Sequence, residues 1–249
     1  MKLTQNSILV TGGSSGIGLA LAERLLARGN RVIICGRREA KLREAKERHP
    51  ALETRVCDVS EEKERLALAA WLEEACPELN VLVNNAGIQQ RMDLLATNRE
   101  WDYYRREIAT NLEAPLHLSL LLARRLTQRP EAAIINISSG LAFTPIAGLP
   151  VYCATKAALH SFSISLRWQL KAAGVEVVEI APPAVRTDLG GPGRHDFGVP
   201  VDEFADAAMR DLEAGKREIG YGTSEPLARL SWDELDKAIA EINQSFILD

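Results

Sequence analysis

Short β-branched, apolar runs alternate along the chain with longer stretches whose apolar positions recur every three or four residues. The short runs are SILVTG, RVIICG, ETRVCDV, NVLVNNAG, AAIINISS and VEVVEIAPP. Each is a nearly continuous apolar block bounded by turn formers, the pattern of a strand buried on both faces. Between them lie helical patterns such as GLALAERLLARG, EEKERLALAAWLEEA and KAALHSFSISLRWQLKAAG. Strand–helix–strand alternation at this spacing predicts βαβ units, hence an α/β fold: a doubly wound, mostly parallel sheet with helices on both faces. No internal repeat, low-complexity tract or linker divides residues 1–249, so one domain is expected.

Composition narrows the function classes. Of 249 residues, 46% are hydrophobic and the formal net charge is −4, so no basic excess draws nucleic acid or anionic lipid. No stretch has the roughly 18 apolar residues of a membrane span, and the chain enters a glycine turn before any apolar run that would serve as a signal peptide. Cys35, Cys57, Cys76 and Cys153 lack metal-ligand spacing and read as buried thiols of a reducing compartment. The four histidines (His49, His117, His160, His195) are scattered, so no metal chemistry is expected. A cytoplasmic protein follows.

The first strand runs into VTGGSSGIGLALAERLLARG. Gly12 and Gly16 permit the sharp turn and let a phosphate approach backbone N–H groups, while Gly18 lets the helix pack on the sheet. The helix N-terminus adds partial positive charge under a pyrophosphate, a Rossmann-like dinucleotide site. Where the second strand ends, an acidic residue would take the ribose 2′-hydroxyl of NAD; here the chain reads Gly36-Arg37-Arg38-Glu39. Two guanidiniums suit a 2′-phosphate, so NADP(H) is expected over NAD(H), with Glu39 keeping NAD(H) open. Asp58, after the third strand, is positioned either for the adenine edge or as a helix cap.

Tyr152 and Lys156 are four residues apart and so share a helix face. Lowering a tyrosine from its ordinary value near 10 to about 7 requires roughly 4 kcal/mol of preference for phenolate. One ammonium about 4 Å away supplies about that much at an effective dielectric near 20. The lysine alone is therefore expected to make Tyr152 a working acid–base. Ser139, at the end of the fifth strand, would hold a substrate oxygen beside it; Ser138 competes for that role, and spacing favours Ser139. Hydride would pass between nicotinamide and a carbonyl carbon while Tyr152 handles the oxygen's proton.

Thr11-Gly12-x-x-x-Gly16-x-Gly18, Asn84-Asn85-Ala86-Gly87, Asn111, Ser139 and Tyr152-x-x-x-Lys156, in this order, resemble the short-chain dehydrogenase/reductase family in its single-domain form, over residues 6 to about 188. The resemblance implies an enzyme acting on CH–OH or C=O with NAD(P), with Ser139, Tyr152, Lys156 and Asn111 as its catalytic set. Lys156 would also hold the nicotinamide ribose, Asn111 would help carry protons to solvent, and Thr187 would meet the carboxamide. The cofactor set around Gly12, Gly16 and Gly18 takes in Ser14, Ser15 and Ile17, the Arg37, Arg38 and Asp58 read above, and Val59, Asn85, Ala86 and Gly87. Pro182 and Val185 complete that set. Two departures stand out. Pro182-Pro183 replaces the family's Pro-Gly, stiffening backbone near the carboxamide. The tail EIGYGTSEPLARLSWDELDKAIAEIN departs from the usual one and is similar to oxidoreductases found with cell-wall D-alanylation genes.

Two loops reach the carboxyl edge of the sheet, where ligands of such folds lie. Phe143, Ile146, Leu149 and Phe197 are expected to form an apolar substrate pocket. Residues 187–200, rich in glycine, suit a mobile lid, with Arg194 or His195 facing an anionic end or simply solvent. Surplus apolar residues in NLEAPLHLSLLLARRL and in KAALHSFSISLRWQLKAAG suggest a helix pair shared between subunits, as in the family's dimers and tetramers. The reading is an NADP(H)-dependent oxidoreductase of a small carbonyl or alcohol, against a cofactor-binding sensor or scaffold with little turnover, or an NAD-dependent dehydrogenase.

Overall fold

The computed structural model describes residues 2–245. Seven strands pair in parallel into one sheet: β1 (Ser7–Thr11), β2 (Arg31–Gly36), β3 (Glu53–Val56), β4 (Val81–Asn84), β5 (Ala133–Ile137), β6 (Glu176–Ala181) and β7 (Glu218–Gly220). Their spatial order is β3-β2-β1-β4-β5-β6-β7. The first six carry the six apolar runs of the sequence. The seventh is only three residues long and has no periodicity to announce it.

Alternation along the strands builds two cores. Ile8 and Val10 of β1, with Val32 and Ile34 of β2, face one side; there α1 (Gly16–Ala27), α2 (Glu39–Arg48) and α7 (Val201–Glu213) bring Leu21, Leu42 and Phe204. Leu9 and Ile33 face the other side, covered by α3 (Glu62–Ala75), α5 (Ala114–Leu126) and α6 (Pro150–Leu170) through Leu72, Leu122 and Leu166. The inner strands β1, β4 and β5 are buried along their whole length, as runs apolar on both faces require. Edge strand β3 is not, and Val56 is half exposed.

The chain winds outward in both directions from β1 and β4, so a crevice opens beyond their carboxyl ends, at Thr11 and Asn84. Helix α4 (Trp101–Ile108) runs into α5 through a π-helical turn, Ala109–Glu113, that carries Asn111. Pro115 causes this break: it has no N–H to offer the carbonyl of Asn111 four residues back, and Ala114 donates instead to Ala109, five residues back. On the outer surface, Leu120 of α5 and Ile164 and Trp168 of α6 are exposed. Among the described residues no helix is long and apolar enough to cross a membrane, and all four cysteines are free and buried. The last helix, α8 (Trp232–Ser245), returns to the carboxyl edge of the sheet.

Candidate active site

The turn after β1 is built around Thr11. Its hydroxyl accepts the N–H groups of Asn85 and Ala86, each at 3.0 Å, and so locks the end of β4 to the end of β1. The Asn85 amide donates back to the carbonyls of Thr11 (2.9 Å) and Gly12 (3.2 Å). This close approach explains the glycines. A Cβ on Gly18 would stand 2.3 Å from Asn85 Nδ2, and one on Gly12 2.8 Å from the Ala86 Cα. Gly12 (φ 64°) and Gly16 (φ 56°) also adopt the left-handed backbone that side chains disfavour. Gly13 was not singled out in the sequence, yet its Cβ would lie 2.6 Å from Ile34 Cγ2; the doubled glycine was the available signal.

At the end of β2 the turn meets the two arginines. Arg38 Nη2 donates to Ser15 Oγ at 2.7 Å, and Ser14 Oγ lies against Gly36. Arg37 and Arg38 are exposed at the cleft rim. Asp58 is tied into its own turn: Oδ1 accepts the backbone N–H and hydroxyl of Ser60, and Oδ2 accepts Arg106 Nη2 at 2.9 Å. Burial pushes this carboxyl up, but those hydrogen bonds and the Arg106 guanidinium outweigh it and hold it below its ordinary value. Of its two expected roles, Asp58 caps the turn ahead of α3 while still lining the cleft.

The opposite end of the cleft gathers the polar set. Lys156 Nζ donates to the Ile137 carbonyl at 2.8 Å and lies 5.6 Å from the centre of the Tyr152 ring. Asn111 is almost fully buried behind it. Its side chain pairs with the backbone of Ile88 in both directions and donates to Thr155 Oγ1 at 3.3 Å, joining the π turn, the loop after β4 and α6. Gly87 lies between, since a Cβ there would meet Asn111 Oδ1 at 3.5 Å and Lys156 Nζ at 3.7 Å. Ser139 caps the short turn Gly140–Ala142 by accepting the Leu141 N–H, whereas Ser138 turns away to the Ile180 carbonyl.

The electrostatics differ from the sequence expectation. Tyr152 is 5% exposed, and burial drives its hydroxyl well above the ordinary tyrosine value; the nearby Ser139 hydroxyl opposes this without reversing it. Lys156 is itself brought down to about 8 by burial, against the pull of Glu107 and Glu179. Spacing sets Lys156 beside Tyr152, but it cannot reveal the desolvation that favours the neutral form of both groups. Glu107, fully buried on α4, is driven to about 7 by burial, against a Gln90 N–H bond and the charge of Lys156.

The residues expected around a cofactor, from the glycine turn through Val59 and Gly87 to Pro182, Val185 and Thr187, all line one cleft of about 1760 Å³. Ile146, Leu149 and Phe197 line it too. Leu141, Leu189 and Ile242, not picked out in the sequence, pack with Ile146, Leu149 and Tyr152 into an apolar wall. Phe143 is a correction: its ring packs edge-on against His160, centroids 4.7 Å apart, and lines a separate small hollow rather than the cleft. Residues 187–200 leave and return at one point, where Arg186 N–H bonds Val199 O and Val199 N–H bonds Ala184 O. Within that loop His195 meets Gln89 at 3.1 Å, and Arg194 is exposed. Asn243 of α8 receives the Ala147 N–H and donates to Pro145 O, fastening the tail over the apolar wall.

A family model described as short chain dehydrogenase matches residues 6–196. The chain is 47% identical over 248 residues to "Uncharacterized oxidoreductase DltE" of Bacillus subtilis, covering 98% of each protein. In structure it is similar to a short-chain dehydrogenase from Sphingobium yanoikuyae in complex with NADPH: TM-score 0.79, 28% identity, 97% of this chain and 96% of that one. It is also similar to the bulky-bulky ketone specific alcohol dehydrogenase from Comamonas testosteroni, with TM-score 0.77, 28% identity and 97% and 94% coverage.

Proposed function

The chain belongs to the short-chain dehydrogenase family, and on that premise we propose that it is an NADP(H)-dependent oxidoreductase of carbonyl and alcohol substrates, with Tyr152 carrying the oxygen's proton. The observation that carries this reading is the convergence of Ser139, Tyr152 and Lys156 at one end of a cleft whose other end is the glycine turn, with Asn111 buried behind them.

The residues fit a dinucleotide. The glycine turn, Arg37 and Arg38 line a cleft that exceeds the roughly 300–1,000 Å³ of a drug-sized pocket, with space for cofactor and substrate together. The exposed Arg37 and the Arg38–Ser15 pair support a 2′-phosphate over a free 2′-hydroxyl, as does the likeness to the Sphingobium enzyme in complex with NADPH. When bound, the nicotinamide supplies or accepts the hydride.

The protein's own part is orientation and proton transfer. Ser139 donates its hydroxyl to the substrate oxygen and turns it toward Tyr152. A buried Tyr152 that holds its proton can act as general acid toward a carbonyl oxygen, and in the reverse reaction the same residue takes the proton back. Lys156 presents its ammonium beside the ring, and Asn111 fixes the loop and helix that position both. The wall of Ile146, Leu149, Leu141 and Ile242 favours a substrate with an apolar body. Exposed Leu120, Ile164 and Trp168 support association through α5 and α6.

The test is a fluorescence titration of the purified protein with NADPH and NADH. Tight NADPH with NADH weaker by tenfold or more, narrowed by Arg38→Ala, is the expected result. Equal affinity for both, unchanged by Arg38→Ala, would remove the NADP(H) assignment, and no binding of either would remove the function.

A further inference from the structure

Lys156 lies within electrostatic reach of two buried carboxyl groups. One, Glu179 of β6, is bonded to His160 Nδ1 at 2.7 Å. The other, Glu107 of α4, has no such partner. Its side chain is completely buried; Oε1 accepts the Gln90 N–H at 3.0 Å, and Oε2 has no hydrogen-bond partner. Glu107 stands one helical turn before Asn111, on a helix packed against α6. The groups that feel it from α6 are Lys156, Tyr152 and Cys153, and nothing else in the proposed chemistry uses it. A carboxyl buried with half its bonding capacity unmet weakens a fold. Such groups gather where they adjust the charge of a working neighbour.

We propose that Glu107 is a positioning residue acting through Lys156: it supplies the counter-charge that keeps the lysine's ammonium charged inside its buried seat beside Tyr152. The inference rests on the reductase reading for its purpose but not for its test. Below neutral pH Glu107 keeps its proton, and Lys156 is charged without help. As pH rises past about 7 the carboxylate forms, and its attraction holds the lysine's proton against burial in the range where that proton would otherwise leave.

The direct experiment follows the lysine, with neither cofactor nor substrate present. The full chain is labelled with [13Cε]lysine, the Lys156 signal is assigned by its loss in Lys156→Met, and its pH titration is recorded in the parent, Glu107→Gln and Glu107→Asp. The expected result is a Lys156 midpoint about one unit lower in Glu107→Gln, partly restored in Glu107→Asp. Should Glu107→Gln fail to fold, Glu107→Leu carries the same expectation. An unchanged midpoint in the neutral variant would overturn the proposal. The pH profile of ketone reduction then reads the same effect: its alkaline decline should move to lower pH by a similar amount, a shift that a merely structural loss would not give. If Tyr152→Phe left turnover intact, the reductase mechanism would fall while the lysine titration still judged Glu107.

Discussion

Replacing Glu107 with glutamine should raise the protein's stability relative to the parent progressively between about pH 5 and about pH 8. Burial lifts the Glu107 carboxyl from 4.5 to about 7, against the Gln90 hydrogen bond and the charge of Lys156. An acid whose folded value is raised binds its proton more tightly when folded. Its contribution is complete below the unfolded value and is lost as pH climbs through the folded one. The shift is 7 − 4.5 = 2.5 units, or about 3 kcal/mol at about 1.4 kcal/mol per unit. Glutamine fills the same space and does not titrate, so the difference between the two proteins reports Glu107 together with the Lys156 it acts on. For a chain of this size about 3 kcal/mol corresponds to roughly 6 to 12 °C in melting temperature. Thermal melts of both proteins at matched ionic strength, stepped through that pH range, read it directly. The gap should open in favour of the variant as pH rises. A gap that stays flat would mean that Glu107 titrates in the folded chain as it does in the unfolded one, and the burial argument would be wrong.

Gly18→Ala should abolish measurable NADPH binding, because its methyl group would stand 2.3 Å from Asn85 Nδ2 and 2.6 Å from the Gly12 carbonyl. Overpacking of this kind costs about 1–3 kcal/mol of stability, readable in a denaturant melt; a variant that binds NADPH normally would contradict the geometry. Asn243→Ala should release α8 from Pro145 and Ala147. With two hydrogen bonds lost at about 1 kcal/mol each, KM for ketones should rise roughly tenfold or more with NADPH affinity unchanged, and an unaltered KM would separate the tail from the substrate site.

The glycine turn was legible because glycine alone tolerates what Gly12, Gly16 and Gly18 must do, so the residue type carries the geometry. The inner strands were legible for a similar reason: burial on both faces demands unbroken apolar runs. Tyr152 and Lys156 were found because helical spacing sets them on one face. Their proton affinities were not, since those depend on how much of the fold closes over them. Glu107 is one of several charges in the segment WDYYRREI, and only the packing of α4 on α6 turns it inward. Phe143 was misassigned because a loop sequence does not say which way a ring turns; His160, on the neighbouring helix, takes it. The tail's contribution, through Ile242 and Asn243, depends on a return across the sheet edge that no local pattern encodes.

The central claim is that Tyr152 carries the proton in a nicotinamide-dependent reduction. The measurement that tests it most directly is steady-state ketone reduction with NADPH by the parent and by Tyr152→Phe, alongside NADPH affinity for each. Removing one buried hydroxyl should lower kcat by about 10²–10⁴-fold, with NADPH affinity changed by no more than a few-fold. A Tyr152→Phe protein that reduces ketones as fast as the parent would contradict it.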